Sequence, residues 1–174
     1  MTNLRNIATI LVGKVFDVEQ FEVEIGAKGW HTFQVIRHPG GVAVLPLHAD
    51  GTVTLIRQPR PAVGMALLEL PAGRLDPEES PENCGRRELL EETGLVADNF
   101  HPIGIIHSSP GVFDEVIHLY VATGLTQHTP APEADEDIEP VRIPVAEALR
   151  MARQGLITDG KTIAALFRGE PYYR

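Results

Sequence analysis

Glu88, Glu91 and Glu92 place three carboxylates within five consecutive positions, in the run Arg87-Glu88-Leu89-Leu90-Glu91-Glu92-Thr93-Gly94-Leu95. Ser80-Pro81 ahead of that run reads as a helix start, with Ser80 able to cap orphan N–H groups and Pro81 suited to the first helical position. Gly94 reads as the stop, a residue that takes the left-handed conformation just past the last turn. At about 100° per residue the three carboxylates fall within an arc of roughly 100° on the helix between these signals, with Leu89 and Leu90 toward the other side. Carboxylates at i, i+3 and i+4 repel one another unless a positive charge sits among them. A hard divalent cation such as Mg²⁺ meets that need, because it takes oxygen ligands and keeps waters and substrate phosphates in its shell. The competing reading is a solvated acidic face.

The surrounding residues favour the cation. Gly73, Glu79, Arg87, Glu88, Leu89, Glu91, Glu92, Gly94 and Leu95 follow the spacing G-x5-E-x7-R-E-U-x-E-E-x-G-U, with U apolar, so the segment resembles the Nudix box at every fixed position. The resemblance implies an α/β fold, the Nudix α/β/α sandwich with a mixed central sheet, in which the box forms a loop–helix–loop on one flank. It also implies Mg²⁺ or Mn²⁺ held by Glu88, Glu91, Glu92 and the carbonyl of Ala72, with Glu88 and Glu92 central to catalysis. Glu79 belongs to the box either as an outer metal contact or as a structural acceptor. Arg87, one helical turn from Glu91, is suited to orienting a carboxylate rather than to touching substrate.

The whole chain bounds the setting. Its 174 residues are one domain's worth, enough to bury a sizeable core, and an apolar fraction of 43% argues against disorder. No apolar run approaches membrane-spanning length and the N-terminus lacks a signal-peptide h-region, so no membrane partner is expected. Cys84 is the only cysteine, which forbids an internal disulfide and makes a reducing cytoplasm the expected location. A net charge of −9 argues against a broad nucleic-acid surface but leaves room for a small anionic substrate, since bound cations invert the sign of an acidic pocket. The seven histidines lack metal-ligand spacing.

The elements that must carry the box follow in order. Residues 3–38 read as two or three strands broken by Gly26-Ala27-Lys28-Gly29, and residues 1–38 resemble the N-terminal β region that precedes the Nudix domain, here 39–174, in ADP-ribose pyrophosphatases. In that branch the region exchanges across a two-fold dimer and contributes to the pocket, which implies a homodimer and a candidate base-stacking role for Trp30. Val42–Leu47 is a near-continuous apolar strand, and Asp50-Gly51 turns it back into Thr52–Arg57. Arg57 and Arg60 then lie just past the expected strand end, as ordinary surface charges or as a bidentate phosphate clamp. The family's Gln-x-Arg segment favours Arg60. Glu69 interrupts an apolar run and must find a partner; family members carry a Glu here near the metal site. Helical spacing places Val145–Gln154 and Asp159–Phe167 in closing helices that serve as core and scaffold.

Two further features narrow the branch. Pro110, in Ser-Ser-Pro-Gly-x-x-Asp-Glu, stands fifteen residues beyond Leu95, as in ADP-ribose pyrophosphatases. The acidic run 133–139 reads as a solvated or mobile loop from composition, while the resemblance implies a loop acid that handles the attacking water, Glu136 first, with Glu139 and Glu115 behind it. The expected activity is therefore metal-dependent hydrolysis of ADP-ribose to AMP and ribose 5-phosphate. The alternatives are another nucleoside diphosphate sugar of the GDP-mannose or UDP-glucose type, and a non-catalytic nucleotide-binding Nudix module.

Overall fold

The computed structural model describes residues 3–131 and 137–173, which form two compact units. The first unit takes in the chain up to Gly40 and also His107–Val116. Its strands β1 (Leu4–Val12), β2 (Asp17–Glu24) and β3 (Trp30–Arg37) form an antiparallel sheet in that order. Pairs such as Phe21↔Phe33 and Asp17↔Arg37 set the register of β2 on β3. Phe21 and Val23 are buried, whereas every residue of β1 is exposed. The 107–116 segment ties onto β3 through the Ile36 amide, which donates to the Val112 carbonyl at 2.8 Å, and the Asp114 amide, which donates to the Ile36 carbonyl at 3.1 Å.

The second unit holds Gly41–Ile106 and the chain from Ile117 onward. Strand β4 (Gly41–Pro46) is apolar at nearly every position, as a strand covered on both faces must be, and all six residues are buried. It lies antiparallel to β7 (Ala72–Arg74) and parallel to β9 (Val116–Gln127), in a four-stranded mixed sheet of order β7-β4-β9-β8 with β8 at Leu95–His107. Because strand side chains alternate, β4 feeds two cores. Val42 and Val44 pack with Cys84 and Leu89 of helix α1 (Pro81–Thr93). Ala43 and Leu45 pack with Leu119, Ile157 and Leu166, on the side of α2 (Val145–Arg153) and α3 (Gly160–Arg168). The second core also takes Val53, Leu55 and Leu68 from a three-stranded sheet of order β10-β5-β6, made of Glu139–Pro144, Thr52–Arg60 and Met65–Glu69. Helices on both faces of a mixed sheet are the expected sandwich. Each fully buried Val or Leu of this kind contributes about 1.5–3 kcal/mol.

The structure corrects one boundary. β5 does not end at Arg57; it continues through Gln58 and Pro59 to Arg60, paired with β6 as Arg60↔Met65. Pro59 lies within the strand, and proline is tolerated where its missing N–H removes no ladder bond. Arg57 and Arg60 therefore belong to the strand itself. Among the described residues, no helix is long and apolar enough to cross a membrane.

Candidate active site

Helix α1 begins and ends as its sequence dictates. The Ser80 hydroxyl accepts the Asn83 amide at 3.2 Å, Pro81 opens the first turn, and Gly94 closes the helix at φ 71° with its amide donating to the Leu90 carbonyl. Its acidic arc is not a solvated face. Glu88 and Glu92 are buried, and Leu90 on the far side is exposed. Arg87 organises the group. Its Nε and Nη2 donate to Glu79 at 3.1 and 3.0 Å, and its Nη1 donates to Glu88 at 2.7 Å and to Glu91 at 3.1 Å. These hydrogen bonds, Glu79 first, hold the guanidinium charged far above its ordinary range, and the Arg87 contact holds the Glu79 carboxyl below its own. Glu79 thus accepts from Arg87 as a structural partner.

Two contacts join the helix to the strand that leads into it. Glu92 Oε2 accepts the Ala72 amide at 2.9 Å. The Glu88 carboxylate lies where a Cβ on residue 73 would sit, so only glycine admits it against the backbone there. Carboxylate oxygens and a neighbouring backbone carbonyl are hard donors, the set that Mg²⁺ or Mn²⁺ selects. Among the described residues, no three Asp, Glu, His or Cys side chains gather as a ready-made metal cage.

Glu69 finds its partner, and more than one. It is 1% exposed at the end of β6 and receives Arg60 bidentately, Nε at 2.8 Å and Nη2 at 2.9 Å. Lys161 Nζ also donates to Glu69, and to Asp159 at 2.9 Å. Burial alone would raise the Glu69 carboxyl, but the Arg60 hydrogen bond and the charge and hydrogen bond of Lys161 outweigh it and bring the group below its ordinary value. Arg60 is raised in turn, chiefly by its hydrogen bond to Glu69, and its charge also feels Glu92 of the box helix and Asp159. Sequence reasoning missed Lys161 and Asp159, treating their helix as scaffold. The unpaired Glu69 signalled that cations were needed, but Lys161 is 92 residues away.

The other candidates fall as follows. Arg57 is exposed and its Nε stands 3.6 Å from Glu139, opposite it on β10. Glu115 stands 3.5 Å from His38 Nδ1 within the first unit. Trp30 in the same unit carries the Arg5 guanidinium 4.1 Å from its ring centroid. Pro110 is exposed in a turn that the Val112 and Phe113 amides close onto the Ser109 carbonyl. Glu136 lies outside the described residues. Cys84 is buried in the α1 core, and desolvation pushes its thiol up to about 12.

With this geometry in place, residues 37–166 match the NUDIX domain family, and the chain belongs to that family. It is 33% identical to an ADP-ribose pyrophosphatase of Bacillus subtilis (strain 168) over 159 residues, covering 90% of this chain and 86% of the relative. It is 36% identical to a GDP-mannose pyrophosphatase of Cronobacter sakazakii over 178 residues, covering 94% of this chain and 85% of the relative. A crystal structure of an ADP compounds hydrolase superposes with a TM-score of 0.85 at 23% identity, over 98% of this chain and 93% of that one, which establishes the shared fold.

Proposed function

We propose that the protein is a Nudix pyrophosphohydrolase that cleaves a nucleoside diphosphate linked to a sugar, foremost ADP-ribose, to AMP and ribose 5-phosphate. One observation carries this reading: a complete box whose buried carboxylates, Glu88 and Glu92, press against the backbone of Gly73 and Ala72. The ADP-ribose and GDP-mannose pyrophosphatases among its relatives support the substrate class.

Glu88, Glu91, Glu92 and the Ala72 carbonyl would hold Mg²⁺ or Mn²⁺. When bound, such ions supply neutralising charge for the diphosphate and acidify the attacking water. The chain's own residues do the rest. Arg87 hydrogen-bonds Glu88 and Glu91 and so positions both carboxylates. Arg60 binds a phosphate oxygen, with Arg57 as the weaker candidate because it is exposed and faces Glu139. Glu69 orients Arg60, Trp30 and Pro110 serve the nucleoside end, and Glu136 orients or deprotonates the water, with Glu139 and Glu115 as the other candidates. Water adds to one phosphorus as the bond from that phosphorus to the bridging oxygen breaks, and the second phosphate leaves on that oxygen.

The first test is product analysis after incubation with Mg²⁺ and ADP-ribose, GDP-mannose or UDP-glucose. AMP and ribose 5-phosphate from ADP-ribose are expected to dominate. Dominant hydrolysis of another member would keep the chemistry and reassign the substrate, and no hydrolysis of any would leave the nucleotide-binding module.

The first unit supports a homodimer. β1 exposes Ile7 at 60% and Val12 at 80%, and an exposed apolar outer strand invites pairing unless a partner covers it. A second copy is the proposed cover. Sedimentation equilibrium should return twice the chain mass, and a monomer at micromolar concentration would remove this assignment.

A further inference from the structure

We propose that Lys161, steadied by Asp159, is a positioning residue for Arg60: acting through Glu69, it keeps the Arg60 guanidinium oriented toward the substrate diphosphate. The inference rests on the assignment of Arg60 to the substrate.

A bidentate arginine–carboxylate pair by itself is electrically neutral, and an arginine so paired has little charge to offer an anion. Glu69 here answers to two cations, because Lys161 donates to the same carboxylate that Arg60 grips. The second cation shares the carboxylate, so less of the Glu69 charge falls on Arg60. Asp159 would cancel this gain if its charge fell wholly on Lys161. It does not: its Oδ2 accepts the Thr162 amide at 3.0 Å and the Thr162 hydroxyl at 2.5 Å at the start of α3, where the helix dipole also favours an anion. Exposure decides which member can meet a ligand. The Arg60 side chain is 37% exposed, against 13% for Lys161 and 1% for Glu69. Lys161 stands behind the carboxylate and Arg60 reaches out from it.

The same corner fixes the backbone. Thr162 Oγ1 accepts the Leu70 amide at 2.8 Å, and two residues on the Ala72 amide donates to Glu92 at 2.9 Å. Between them the Pro71 carbonyl accepts the Val44 amide at 2.9 Å. The segment from Glu69 to Ala72 is therefore pinned to α3 at one end, to β4 in the middle and to the box helix at the other. Movement of Lys161 and Asp159 would be felt at Glu69 and Arg60.

The test is a double-mutant cycle with Lys161→Met and Arg60→Gln, read in steady-state kinetics on whichever member of the substrate panel the wild type hydrolyses. Lys161→Met is expected to raise KM about tenfold with kcat within about threefold, the pattern of lost phosphate binding. In the Arg60→Gln background the same change should have no further effect, because Lys161 acts only through Arg60. Additive effects on KM, or a loss confined to kcat, would overturn the proposal. Should Lys161→Met fail to fold, Asp159→Asn keeps the helix cap and removes the tether. It should raise KM about threefold in the wild type and not at all in Arg60→Gln; no change in either would overturn it. A substrate-free measurement separates this proposal from the functional one. The Arg60 Nε–H proton resonance should move downfield in Lys161→Met, as Glu69 leans on Arg60 alone, and an unmoved resonance overturns the coupling even if the enzyme proves to act on another substrate.

Discussion

On α1, the single guanidinium of Arg87 serves Glu79, Glu88 and Glu91, while Glu92 leans on the Ala72 amide. At the end of β6, in the same compact unit, Arg60 and Lys161 face Glu69 and Asp159 in equal number. The first group is rich in carboxylates and the second is balanced. Both are partly or wholly withdrawn from water, where an uncompensated charge is costly, so the difference has a chemical meaning. Clustered carboxylates suit a divalent cation, whereas a group with an arginine at its outer edge suits an anion. The diphosphate hydrolysis proposed above needs both, a cation on one side of the phosphates and a fixed guanidinium on the other.

The largest expected effect breaks the first group. Glu92→Gln keeps an oxygen that can accept the Ala72 amide, so the strand-to-helix contact survives and the fold with it. What it removes is one negative charge from the proposed cation-binding set. Metal assistance is worth several kcal/mol and each 1.36 kcal/mol is tenfold in rate, so turnover should fall by about two to three orders of magnitude with an unchanged circular dichroism spectrum. Turnover within about threefold of wild type would mean that this carboxylate group does not serve catalysis.

What could be read from the sequence follows the same division. The box helix was legible to the residue, because Ser80, Pro81 and Gly94 are local signals and the spacing of Glu88, Glu91 and Glu92 depends on helical geometry alone. β4 was legible as a buried strand from its unbroken apolar run. The balanced group was half legible. An acid inside Leu-Leu-Glu-Leu demands a partner, but Lys161 reaches it only because α3 packs beside β4 and β6, and no local rule records that pairing. β5 runs past its expected end at Arg57 because Gln58↔Leu67 and Arg60↔Met65 pair it with β6, and no local signal records that pairing. The same extension buries Gln58, whose Oε1 has no hydrogen-bond partner among the described residues.

Acid separates the two groups through stability rather than turnover. The folded structure lowers the Glu69 carboxyl below its ordinary value near 4.5, since the two cations outweigh the burial that would raise it. A carboxyl lowered on folding contributes stability that is fully present above its unfolded value and is lost as pH falls through the folded one. Wild-type stability should therefore decline below pH ~4.5, and Glu69→Gln, which has no proton to gain, should decline less steeply over that window. At neutral pH the same variant leaves Arg60 and Lys161 facing a neutral amide, and breaking a buried pair on one side costs about 3–5 kcal/mol. Glu79, also lowered by its arginine but more open to solvent, is the control. Glu79→Gln should cost no more than about 1 kcal/mol at neutral pH, as a solvent-screened ion pair does. Urea unfolding of the three proteins at pH 7 and along the acid limb measures both effects. Equal losses for Glu69→Gln and Glu79→Gln would show that the balanced group is no better shielded from water than the edge of the box, and Arg60 would then lose its claim to a fixed position.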